Sequence, residues 1–117
     1  MKAINASKSL VIASNLREAT GFFARAKGLI GLATLKNGEG LWMAHCRAIH
    51  TIGMRFPIDV IFTDKGFVVK KVMKEVRPFC PLVCCLSAEE VFELPVGTIE
   101  RANIQAGDKI EIIRAFE

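Results

Sequence analysis

Both histidines of the chain, its only tryptophan and one of its four cysteines fall in a single stretch, Trp42-Met43-Ala44-His45-Cys46-Arg47-Ala48-Ile49-His50-Thr51-Ile52-Gly53-Met54-Arg55-Phe56-Pro57-Ile58-Asp59. Imidazole, thiol and carboxylate are the groups that ligate metals or move protons, so this stretch holds the candidate chemistry. His45, Cys46 and His50 could supply nitrogen and sulfur ligands, with Asp59 as a fourth or supporting group. A base reading is also open. His50 oriented by Asp59 could activate Cys46 or a water, as a carboxylate-held imidazole does. Neither spacing matches an established metal or nucleophile motif. The competing structural readings are that His50 and Thr51 satisfy backbone groups in a tight connection, and that Asp59 is solvated or accepts backbone N–H bonds at a turn. A buried polar group left unpaired is destabilising by roughly 1–3 kcal/mol, so polar residues among apolar ones must find partners.

The remaining chemistry-bearing residues are cysteines and lysines. Cys80, Cys84 and Cys85 follow Cys46. Adjacent Cys84 and Cys85 would strain the backbone if bridged, and no second Cys pair completes a zinc pattern. The expectation is four thiols in a reducing compartment, packed as small apolar side chains. Residues 65–77 carry Lys65, Lys70, Lys71, Lys74 and Arg77 against Glu75 alone, and the rest of the chain is balanced at 11 basic and 11 acidic residues. This segment accounts for the whole net charge of +4. It could meet nucleic-acid phosphates or an acidic partner. Few aromatics interleave with these charges, however, and lysines also protect an exposed sheet edge against self-pairing.

The elements that must position these groups are mostly strands. A chain of 117 residues, 51% hydrophobic and 24% charged, fits one ordinary globular domain spanning 1–117. No run approaches the ~18 apolar residues of a membrane span. The apolar patch at residues 10–13 is too short for a signal core, so the expected location is cytoplasmic, without membrane insertion. Residues 9–14 read as a strand, and 21–30 as a helix with Phe22, Phe23, Ala26, Leu29 and Ile30 on one face, capped by Thr20. Asn37-Gly38-Glu39-Gly40 reads as a turn before a strand at Leu41-Trp42-Met43. Ile58–Thr63 and Phe67–Val72 read as a β-hairpin, with Gly66 free to take positive φ after a type I turn. Ser87-x-x-Glu90 fits a capping box, but Val91–Leu94 before Pro95 fits a strand, which is preferred. Thr98 to Ile104 reads as a short helix capped by Thr98, and Lys109–Arg114 alternates as a final strand. Sequential hairpins imply a mainly β (β-rich α+β) fold. It would be a mostly antiparallel sandwich or barrel with one or two short helices.

Several strings, taken in order, carry a family resemblance. They are Ala24-Arg25-Ala26-Lys27-Gly28-Leu29-Ile30-Gly31, then Cys46-x3-His50-Thr51-Ile52-Gly53-Met54-Arg55-Phe56-Pro57-Ile58-Asp59, then Asp64-Lys65-Gly66, Pro78, Val91-Phe92-Glu93-Leu94-Pro95-Val96-Gly97, and Ala106-Gly107-Asp108. Over about residues 17–113 the chain resembles the bacterial and archaeal family called domain of unknown function 192. The resemblance implies a compact, jelly-roll-like β fold and no particular activity. Leu32 stands where the family usually has an arginine, so a site relying on that arginine would be incomplete. The expected function is a non-catalytic module that binds a small molecule or protein near Arg25, His50, Thr51, Arg55 and Asp59, with no cofactor. The alternatives are a small hydrolase or transferase using His50 and Asp59 or Cys46, and a nucleic-acid binder acting through residues 65–77.

Overall fold

The computed structural model describes residues 1–21, Ala24 and 27–114. Among the described residues the elements with defined bounds are, in chain order, β1 (Lys2–Asn5), β2 (Leu10–Ala13), β3 (Asn15–Glu18), β4 (Glu39–Ala44), β5 (Ala48–Ile49), β6 (Ile58–Thr63), β7 (Val69–Val76), β8 (Val83–Cys84), β9 (Glu90–Pro95), α1 (Thr98–Arg101) and β10 (Ile110–Ile113). They form a five-stranded sheet in the order β3-β4-β9-β6-β7, a three-stranded sheet β10-β1-β2, and the two-stranded pair β5-β8. All pairings are antiparallel except β3 with β4. The described strands form no closed barrel.

The inner strands β6 (IDVIFT) and β9 (EVFELP) are buried at every position. Such strands are covered on both faces and read as nearly continuous apolar runs. Side chains alternate between the two faces of a strand, which sorts the core into two halves. Trp42, Ile61, Phe92 and Leu94 face the three-stranded sheet and pack with Ala3, Ile12, Ala13 and Ile110. Leu41, Met43, Val60, Phe62 and Val91 face the opposite way and pack with Leu29, Met54 and Val83 from the loops and the β5-β8 pair.

Asp59 lies on the first of these faces, opposite Leu94 in the ladder. It is 1% exposed. Its Oδ1 accepts the Glu75 N–H at 3.0 Å, and its Oδ2 accepts those of Gly97 at 3.1 Å and Ile99 at 3.0 Å. Glu75 is a bulged residue. Ile58 pairs with Val76 and Val60 with Met73, so β7 has one residue too many there, and Glu75 takes φ 51°. Gly97, at φ 97°, is the N-cap of α1, a conformation that favours glycine. Asp59 therefore caps a helix 38 residues further on, and the expected cap, Thr98, instead bonds the Pro95 carbonyl. The helix is shorter than expected, ending at Arg101. The Arg101 guanidinium donates to the Val11 and Ile12 carbonyls and ties α1 to the edge strand β2.

The hairpin of β6 and β7 forms as read, but its strained residue is not Gly66. Asp64 Oδ1 accepts the Gly66 and Val68 N–H groups, and Phe67 takes φ 62°. Its ring lies 5.7 Å from Trp42 and 6.3 Å from Phe92, a packing that holds an unfavourable backbone geometry. Strands β1, β3, β5 and β8, of four residues or fewer, are too short to show an alternating pattern in the sequence. Of the helix expected over 21–30, Phe22, Phe23, Arg25 and Ala26 lie outside the described residues, while the Gly28 N–H donates to the Ala24 carbonyl as in a helix.

Asp59→Ala strands three N–H groups. Equilibrium unfolding in urea is expected to show a loss of about 3 kcal/mol or more, whereas His50→Ala, at an exposed position, should stay within about 0.5 kcal/mol of the parent. Equal losses would show that His50 is as structural as Asp59.

Candidate functional site

On the second face of the five-stranded sheet the covering is incomplete. A cavity of about 280 Å³ opens there. Met43 of β4 and Glu93 of β9 are fully covered by the fold and form its floor. Leu29 and Ile30 form one wall, and Ala48, Ile49 and Met54 another. Lys27, His45 and His50 are exposed and stand at its mouth, with half-buried Cys46 beside them.

Glu93 is the unusual group. It faces Leu41 on one neighbouring strand and Val60 on the other, and Val91 flanks it on the same face of its own strand. It is 3% exposed, and its Oε1 is buried with no hydrogen-bond partner among the described residues. Burial among apolar neighbours disfavours the ionised form and pushes the Glu93 carboxyl up to about 7. Perturbed carboxyls of this kind in a pocket mark functional sites more often than chance. The sequence carried a signal for it. Val91-Phe92-Glu93-Leu94 is apolar on both alternating faces, so a glutamate inside it has no solvated side to occupy.

The residues expected from sequence are divided by the sheet. His45, Cys46 and His50 share the cavity. Asp59 is on the opposite face with its carboxylate engaged by three backbone N–H groups, so it does not orient His50. The Cys46 thiol bonds the Ala48 carbonyl at 3.1 Å rather than a histidine. Among the described residues no three His, Cys, Asp or Glu side chains come together as a metal-holding set. Thr51 is buried, accepting the Cys80 N–H and donating to the Arg77 carbonyl. It is a staple between loops. Arg55 is exposed and lines none of this cavity, and Arg25 lies outside the described residues. The four cysteines are free thiols and half-buried, so they are less enclosed than expected. Lys70, Lys71 and Lys74 are exposed on β7, an edge strand, where lysines discourage pairing with another chain. Lys70 pairs with Asp64 at 3.7 Å, and Lys71 donates to the Cys84 carbonyl at 3.0 Å. No helix among the described residues is long and apolar enough to cross a membrane.

Two stacked sheets with a cavity of about 280 Å³ over the second face of the larger one make this a small β protein with an open hollow beside Glu93. The profile of domain of unknown function 192, described as an uncharacterised ACR, matches residues 3–112, and the chain belongs to that family. A relative from Thermococcus sibiricus, named only as a UPF0127 protein, is 32% identical over 115 residues, covering 92% of this chain and 72% of the relative. A solved protein of unknown function from Novosphingobium aromaticivorans superposes with a TM-score of 0.82 at 21% identity, over 95% of this chain and 82% of its own. A second, from Sinorhizobium meliloti, named as a candidate transcription regulator, gives 0.79 at 18% identity over 94% and 89% of the two chains. Both likenesses establish the fold.

Because the folded state holds the Glu93 proton up to about pH 7 and the unfolded chain releases it near 4.5, the folded form binds the extra proton between these values. Stability from this group is therefore present below pH 4.5 and falls as pH rises to about 7. Glu93→Gln removes the loss. Unfolding curves at pH 5 and pH 8 should show the variant gaining on the parent by roughly 2–3 kcal/mol over the interval. A constant difference would mean that Glu93 is ionised throughout.

Proposed function

We propose that this chain is a non-catalytic small-molecule-binding module whose ligand occupies the Glu93 cavity. One observation carries the reading: Glu93 lines the cavity, and its Oε1 is buried with no hydrogen-bond partner among the described residues. A buried acceptor without a donor is destabilising, and a ligand N–H or O–H relieves it. Pockets that recognise small molecules combine apolar walls with a few placed polar groups. Here Leu29, Ile30, Ile49 and Met54 are the walls, with Met43 beside Glu93 on the floor. The matching ligand is compact, with an apolar body and one amine or hydroxyl directed at Glu93. Lys27, His45 and His50 at the mouth suit an acceptor at its other end. The four free thiols support a reducing compartment, in keeping with a cytoplasmic location.

The test uses short alkylamines, the matching alcohols and the matching carboxylic acids as probes, followed by NMR of the methionine methyl and histidine ring signals. Amines and alcohols should move Met43, Met54, His45 and His50 together, with affinity at least tenfold lower in Glu93→Leu. Probes that leave these signals in place, or that bind Glu93→Leu equally well, would sink the proposal.

A further inference from the structure

The four most exposed large apolar side chains among the described residues belong to one lobe. They are Leu86 at 79%, Phe79 at 70%, Leu82 at 63% and Ile52 at 47%. The lobe is made of two segments stitched to each other. The Thr51 N–H donates to the Cys80 carbonyl and the Phe79 N–H to the Thr51 carbonyl, both at 2.9 Å. β5 pairs with β8, and the Cys85 N–H reaches the Arg47 carbonyl at 3.0 Å. Lys71 closes the lobe against β7 through the Cys84 carbonyl.

Its charge is one-sided. Residues 45–58 and 76–88 contain no Asp or Glu and carry Arg47, Arg55 and Arg77 with both histidines of the chain. Lys71 of β7 lies against it, donating to the Cys84 carbonyl, and Glu75 and Glu89 are the first acids to either side of the second segment. The apolar tips are held, not loose. Pro78 and Pro81 fix the turn around Phe79, which takes φ 64°, and the staples at Thr51 anchor its base.

We propose that this lobe docks on an anionic lipid surface, with Phe79, Leu82 and Leu86 entering the interface and Arg47, Arg77 and Lys71 contacting phosphate headgroups. Apolar tips with flanking cations are the combination that binds a membrane interface without a spanning segment. Exposures of 63–79% mark protrusions rather than a groove, which suits a soft, featureless surface better than a shape-matched protein. A second copy of the chain would bring like charges together. A nucleic acid would use the cations and leave the apolar tips idle.

The experiment is co-sedimentation of the full chain with vesicles of phosphatidylcholine alone and of phosphatidylcholine with phosphatidylglycerol. The parent should bind the mixed vesicles at least tenfold more tightly than the neutral ones, and weaken as salt rises. Phe79→Ser with Leu86→Ser, both surface changes that should melt like the parent, should reduce binding at least tenfold. Arg77→Glu with Lys71→Glu should do the same. Absence of binding to anionic vesicles overturns the proposal. So does vesicle binding that the serine pair leaves unchanged, which would make the contact one of charge alone, without the apolar tips. Self-association in sedimentation velocity that the serine pair abolishes would assign it to a second copy.

Discussion

A single carboxylate, Asp59, accepts three backbone N–H groups at places where regular structure fails. One is the bulge of β7 at Glu75, and two belong to the first turn of α1 at Gly97 and Ile99. Neither irregularity can satisfy these donors from within its own element. A buried charge normally carries a large desolvation penalty, but here each oxygen is met by oriented peptide dipoles. The consequence is long-range. Once α1 is fixed by Asp59, Arg101 reaches the carbonyls of β2. The five-stranded and three-stranded sheets are thereby joined across the core through one helix of four residues.

A second polar linkage closes the same side of the molecule. Asn5 donates to the Ala102 carbonyl and to Asp108, whose carboxylate also accepts from Lys8 and from the Gln105 N–H. These hydrogen bonds hold Asp108 below the usual carboxylate range against the opposing effect of its partial burial. Trp42 is likewise tied, its indole N–H donating to Glu90 at 2.8 Å. On this face, then, buried polar groups are almost all partnered. Glu93, on the other face, is not. The same sheet places Asp59, its carboxylate engaged by three backbone N–H groups, on one side and the unpaired Glu93 Oε1 on the other.

Part of this was legible in the sequence and part was not. Runs such as Ile58–Thr63 and Val91–Leu94 announce buried strands by composition, and the hairpin between β6 and β7 follows from two such runs around a polar turn. The family strings placed His50, Pro57 and Asp59 in one motif. Proximity in that motif suggested a shared site, yet His50 is in a loop over one face of the sheet while Asp59 points through the other. Gly66 looked like the residue for a left-handed turn, but Phe67 occupies that region because its ring is held between Trp42 and Phe92. Short strands such as β5 and β8 carry two residues each and have no periodicity to read.

The sequence by itself determined the class of fold, the family, the inner strands and the residue types available for chemistry, because these depend on local composition and alternation. Only the tertiary structure decided which of those residues meet. Pairing of β9 with β4 and β6 joins segments far apart in the chain, and its register sets the face of every side chain. A shift of one residue would exchange Glu93 for Leu94 on the cavity floor. Whether a glutamate is buried and unpaired, or an aspartate serves as a remote helix cap, is a property of what packs against it, and no local pattern encodes that.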